Sequence, residues 1–182
     1  MVFLETQRLF LRNVSTGDVE TMYDYRNNEI CARYQRGQAK EHDKILKLAE
    51  NRRNDVLGIE DNCFIAAALK NTNEMIGEIV VMPCEGTISL GYTFSYKHHR
   101  KGYAYEALSA LIDYLHKAYP DWDFISFTDP ENIPSMALLK KLGYKDMGYL
   151  RSKDSQVFGL YTTPQTEEEI SQAMRNQKKD AE

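Results

Sequence analysis

The sequence predicts a mixed α/β fold, and three observations carry that expectation. Apolar residues alternate over Arg8 to Val14, with Leu9 and Leu11 set against Arg8, Phe10 and Arg12, as in a half-buried strand. Three further strand-like stretches follow one another with turn residues between them, the pattern of a meander. Finally, Ala104, Ala107, Leu108, Leu111, Ile112 and Leu115 recur at i, i+3, i+4 and i+7, one face of a long helix.

The elements follow in order. After the opening strand, Ser15 or Thr16 can cap a helix through Val19, Met22 and Tyr23. Residues 38–54 form a second, highly charged helix around Ile45, Leu46 and Leu48. Cys63 to Leu69, Met75 to Met82 and Ile88 to Tyr96 are the meander strands, joined at Asn71-Thr72-Asn73 and Glu85-Gly86. The long helix comes next, then a short apolar strand from Trp122 to Phe127. Asn132 to Leu142 is another amphipathic helix, with Met136, Leu139 and Leu142 inward and Gly143 at its end. Tyr144 to Leu150 and Val157 to Tyr161 are the last strands. This order gives one sheet of about seven strands with helices on both faces. One domain is expected over residues 1–164. The charged tail, 165–182, can form an amphipathic helix around Ile170 and Met174 that frays from Lys178 to Glu182.

Composition excludes several function classes. A net charge of −4 and a pI near 5.6 argue against a nucleic-acid partner. No apolar run approaches the roughly 20 residues of a membrane span, and the N-terminus lacks a signal-peptide layout. The three cysteines, Cys31, Cys63 and Cys84, are scattered without metal-like spacing and fit reduced thiols of a cytoplasmic protein.

The segment His99-Arg100-Lys101-Gly102-Tyr103-Ala104 carries the most chemistry. Gly102 lets the backbone bend close to a ligand, and the helix that follows presents free N–H groups and the positive end of its dipole. Arg100 and Lys101 add formal charge. By itself this fits either a solvated loop or an anion site. His98 and His99 would point to opposite sides of an extended segment with no third ligand spaced nearby, so no metal is expected.

Four stretches in order resemble the GCN5-related N-acetyltransferases (GNAT), nearest to the branch that includes bacterial acetylases of ribosomal-protein N-termini. They are Leu4-Glu5-Thr6-Gln7-Arg8-Leu9-Phe10-Leu11-Arg12, Ile76-Gly77-Glu78-Ile79, Leu90-Gly91-Tyr92 through Ala107, and Asn132-Ile133-Pro134-Ser135 through Leu142-Gly143-Tyr144. There are departures: His99 stands where the family usually has Gln or Arg, and Arg100 where it often has Gly. The resemblance implies the GNAT fold, a mostly antiparallel twisted sheet. It also implies acetyl-coenzyme A as cosubstrate and direct attack by a primary amine in a ternary complex. The acceptor would be a protein N-terminus or a small-molecule amine, and a homodimer stays open.

By the same resemblance, His99, Arg100, Lys101, Gly102, Tyr103 and Ala104 would hold the pyrophosphate. Thr93, Phe94, Ser95 and Tyr96 would line the pantetheine arm on a bulged strand that splays from its neighbour, with a backbone N–H near Phe94 facing the thioester oxygen. Asn132 would bond the pantetheine, or cap its helix. Ser135 matches a proton donor to the departing thiolate, or another first-turn cap; Tyr144 is the second candidate. Asp154 would face the acceptor, or serve as a hairpin turn residue. Many relatives have a basic Glu where this chain has Ser89, leaving Glu78, Asp129, Glu131, Asp154 or a water chain to take the amine's proton. Glu106 complements the helix dipole. Residues 16–54 and 146–157 would set acceptor specificity. The alternatives are a non-catalytic acyl-coenzyme A binding module and a structural protein that binds no cofactor.

Overall fold

In the computed structural model, which describes residues 1–179, the opening segment forms two strands, β1 (Val2–Glu5) and β2 (Leu9–Asn13). The turn between them closes when Thr6 N–H donates to the Leu9 carbonyl (2.9 Å) and Leu9 N–H to Thr6 Oγ1 (3.0 Å). β1 lies at the sheet edge and buries neither face fully, so it lacks the alternation that marks β2. It brings the total to eight strands where the sequence suggests about seven.

Ahead of α1 (Val19–Asn27), Asp18 accepts from Ser15 N–H and Oγ and from both terminal nitrogens of Arg12. Burial alone would raise the Asp18 carboxyl; the Arg12 fork and Ser15 outweigh it and hold it below the usual range. A single turn, α2 (Glu29–Ala32), follows, too short to leave a periodic signal, and then α3 (His42–Arg52). The meander forms as expected: β3 (Cys63–Leu69), β4 (Met75–Cys84) and β5 (Thr87–Phe94). Glu85 and Gly86 both have positive φ (43° and 82°), a two-residue turn suited to the sheet's twist. β5 ends at Phe94, and Tyr96–His98 make a 3-10 turn. The remaining elements are α4 (Tyr103–Ala118), β6 (Asp123–Thr128), α5 (Ile133–Lys141), β7 (Lys145–Leu150), β8 (Ser155–Leu160) and α6 (Pro164–Lys179).

The strand order is β1-β2-β3-β4-β5-β6-β8-β7, antiparallel throughout except between β5 and β6. Helices cover both faces. α1 and α3 bring Val19, Met22, Tyr25, Ile45 and Ala49 against Ala66 and Met75. α4 and α5 bring Leu108, Leu111, Leu115 and Leu139 against Leu9, Leu11, Ile65 and Ile79. α6 runs along edge strand β7, where Gln177 Nε2 donates to the Tyr149 carbonyl (2.7 Å) and Arg151 N–H to Gln177 Oε1 (2.6 Å). An amide side chain thus stands in for the missing neighbour strand. The sequence predicts fraying from Lys178, but α6 continues to Lys179; residues 180–182 of that expectation lie outside the described residues. Among the described residues no helix is long and apolar enough to cross a membrane.

Candidate active site

The parallel pairing of β5 and β6 covers only Thr87 with Asp123 and Ile88 with Phe124, and Ser89 Oγ adds one bond to the Ile125 carbonyl (2.7 Å). Beyond that the strands part around a cleft of about 260 Å³. Leu90, Gly91 and Tyr92 form one wall, Phe127, Thr128 and Asp129 the other, with Asn132 and Ser135 from α5. Tyr34, Gln35 and Arg36, from the segment between α2 and α3, border it as well. β5 itself carries no bulge: its register with β4 is unbroken from Gly77–Phe94 to Cys84–Thr87. The irregularity expected on this strand falls instead in the β3–β4 pairing, at Ile76. The gap therefore opens through loss of the β6 partner.

That loss leaves main-chain groups of β5 facing the cleft. Ser95 N–H donates back to the Ile76 carbonyl (2.8 Å), so the main-chain groups of Tyr92 and Phe94, three and one residues before it, turn away from β4. Their carbonyls are taken by side chains: Gln35 Nε2 donates to Tyr92 (3.2 Å), Cys31 Sγ to Phe94 (3.3 Å), and His99 Nε2 lies 2.8 Å from the Phe94 oxygen. The amide of Phe94 is directed away from β4 in the same way, one step past the β5 residues that line the cleft. Gly77 makes room for this strand, since a Cβ there would lie 2.6 Å from the Phe94 ring. The other expected pantetheine residues turn elsewhere. Thr93 Oγ1 accepts from Gln38 (3.0 Å), Ser95 is buried beside a separate hollow with Glu20, Asp24 and His98, and Tyr96 packs near α1 and α3.

At the end of the same strand the loop 99–102 leads into α4. Arg100 (φ 61°) and Gly102 (φ 80°) are both left-handed, and Gly102 is the residue that caps α4. It has no side chain to offer, so the first-turn amides of α4 stay open. Arg100 and Lys101 are exposed beside them. This cradle suits a diphosphate. His99 is turned back to Phe94, and His98 Nε2 lies 3.7 Å from Glu74, so the two histidines serve different neighbours. Glu106, in the first turn of α4, does more than face the dipole. It accepts from Thr6 Oγ1 (2.6 Å), Arg8 N–H (2.7 Å) and Arg8 Nε (2.6 Å), tying the β1–β2 turn to the cradle.

On α5, Asn132 caps the helix by accepting from Ser135 N–H (3.2 Å). Ser135 Oγ is free of that cap and lies 2.8 Å from the Tyr92 hydroxyl inside the cleft. Burial pushes the Tyr92 phenol up, and the Ser135 bond partly offsets this. Tyr144 is buried outside the cleft lining, and burial holds its phenol well above the ordinary value. Its hydroxyl and that of buried Ser126 make no hydrogen bond among the described residues. Asp154 (φ 47°) sits on the rim, accepting from Tyr149 (2.7 Å) and lying 3.4 Å from Arg36, which also approaches Asp129 (3.5 Å).

Glu78 is enclosed. The Arg26 fork meets both its oxygens (3.1 and 2.6 Å) and Gln38 donates at 2.6 Å. Among the carboxylates, then, Asp129 lines the cleft, Asp154 lies at its rim, and Glu78 is withdrawn from it. Sequence reasoning missed Tyr92, Gln35 and Arg36. Tyr92 lies inside a recognised stretch, whereas Gln35 and Arg36 fall within the 16–54 range expected to set acceptor specificity, where no motif singles them out.

A family model described as Acetyltransferase (GNAT) domain matches residues 8–145. Among named relatives, the uncharacterized N-acetyltransferase YnaD of Bacillus subtilis (strain 168) is 28% identical over 152 residues, 81% of this chain and 85% of that protein. Among solved structures, a GNAT-family acetyltransferase from Bacillus anthracis superposes with a TM-score of 0.73 at 23% identity, covering 87% of this chain and 96% of that one. A ribosomal-protein-S5-alanine acetyltransferase from Vibrio fischeri superposes at 0.66 with 16% identity, over 86% and 94%. At such identities these two speak for the fold.

Proposed function

Because the chain belongs to the GNAT family of acetyltransferases and is an N-acetyltransferase, we propose that it moves acetyl from acetyl-coenzyme A to a primary amine by direct attack in a ternary complex. One observation carries this reading: beyond Ile88 strand β5 has lost its β6 neighbour as far as Phe94, and the glycine cradle of α4 follows it in the chain at residues 99–104. A long ligand with a diphosphate at one end and a thioester at the other matches both.

When bound, the cosubstrate supplies an acetyl carbonyl that a neutral amine can attack. The residues of this chain do the rest. Gly102, Tyr103 and Ala104 offer amides, with Arg100 and Lys101 beside them, to hold the diphosphate. The Phe94 amide is a fixed donor for the charge that grows on the carbonyl oxygen. Holding both reactants in one cleft supplies much of the acceleration. Ser135, bonded to Tyr92, is the hydroxyl positioned to protonate the departing thiolate, ahead of buried Tyr144. Asp129 and Asp154 at the mouth can guide a cationic amine and accept its proton through water.

The catalytic unit on this reading spans residues 1–164, and α6, through Gln177, braces its edge. The acceptor is a protein N-terminus or a small amine; the acidic balance disfavours nucleic acid. We place the protein in the cytoplasm, where its three free cysteines stay reduced. Thiol release from acetyl-coenzyme A with a panel of N-terminal peptides and small amines tests the reaction. Saturable turnover on at least one amine supports it. Tight coenzyme A binding with no turnover on any amine would transfer the reading to a binding module.

A further inference from the structure

We propose that Arg8, on the turn between β1 and β2, is a further diphosphate-binding residue of the cofactor site, held in place by Glu106. The inference rests on the coenzyme A reading above and adds a residue far from the loop in sequence. Three of its contacts fix the guanidinium. Nε donates to Glu106 Oε2 (2.6 Å), Nη1 donates to the Lys101 carbonyl (3.0 Å), and the group lies over the Tyr103 ring with Cζ 4.3 Å from the centroid. The remaining nitrogen, Nη2, makes no hydrogen bond among the described residues. A Cβ built on Gly102 would lie 3.5 Å from it. The unused donor of the fork is therefore aimed over the residue whose missing side chain opens the α4 amides.

Charge explains why the pair is built this way. Glu106 in the first turn favours the helix but sets a carboxylate beside an anion site. Burial would raise its carboxyl, yet the Thr6 and Arg8 bonds hold it below the usual range, so it stays ionised. Arg8 cancels that charge locally and leaves an N–H over for the ligand. As a surface ion pair alone it would contribute little, because the Arg8 side chain is 41% exposed. The same exposure leaves it within reach of a bound diphosphate.

The test compares two acetyl donors, acetyl-coenzyme A and S-acetylpantetheine, which lacks the diphosphate. For Arg8→Met we expect KM for acetyl-coenzyme A to rise about tenfold or more with kcat nearly unchanged, and kcat/KM for S-acetylpantetheine to move less than about twofold. Arg8→Lys keeps the charge but not the fork, and should lose an intermediate amount on acetyl-coenzyme A alone; it serves if the methionine variant does not fold. Equal losses on both donors, or none on either, would overturn the proposal. Failure of the wild-type chain to bind coenzyme A by calorimetry would instead overturn the cofactor reading itself.

Discussion

At the residue scale, the site divides into groups that face the cleft and groups that only support it. Ser135 faces it, with its hydroxyl on Tyr92. Ser135→Ala should lower kcat by about 10²-fold while KM for acetyl-coenzyme A changes little, since the lost proton donor acts only as the thiolate departs. Single-turnover thiol release would show this directly; an unchanged kcat would remove Ser135 from the reaction. Tyr144 is the contrasting case. Its buried hydroxyl makes no hydrogen bond, so Tyr144→Phe should leave stability unchanged or raise it by up to ~1 kcal/mol in urea unfolding. Glu78 is the supporting case. Glu78→Ala would strand Arg26, which is 1% exposed, and should cost about 3–5 kcal/mol by the same measurement. The sequence pointed to Ser135 by its place after Asn132, but gave no sign that Glu78 meets a guanidinium 52 residues away.

At the element scale, local patterns foretold local structure. The meander, its Glu85-Gly86 turn and the face of α4 follow from spacings of a few residues, and all three form. β1 and α2 were not legible, because a half-buried edge strand of four residues and a one-turn helix are too short to show a period. The turn ahead of α1 yields a pH prediction. Asp18 is held below its ordinary pKa, so its bonds to Arg12 and Ser15 stabilise the fold fully above the unfolded value of about 4, and are lost as pH falls through the depressed folded value. Asp18→Asn should therefore cost roughly 1–3 kcal/mol near neutrality and shrink that difference in strong acid. Melting temperatures of both proteins across that range check the sign. A gap that stayed constant with pH would mean the residue acts by packing alone.

At the scale of the whole molecule, the sheet is two half-sheets, β1 to β5 and β6-β8-β7, joined at Thr87, Ile88 and Ser89. No local pattern reveals such a seam, because it lies between strands separated by the whole of α4; the motif resemblance suggested the splay, and the structure shows it forming without a bulge on β5. A ligand that fills the gap would act as the missing strand neighbour for β5 and tie the halves together. Binding to the folded state alone stabilises by about 2.7 kcal/mol at a hundredfold excess over Kd, and the place where that stability appears is the informative quantity. Hydrogen exchange with coenzyme A should slow at the Tyr92 and Phe94 amides and along residues 126–135, as well as over the loop 99–106. Protection confined to 99–106 would mean that the cofactor is held by its diphosphate and leaves the gap unfilled, so that Phe94 could not serve the carbonyl.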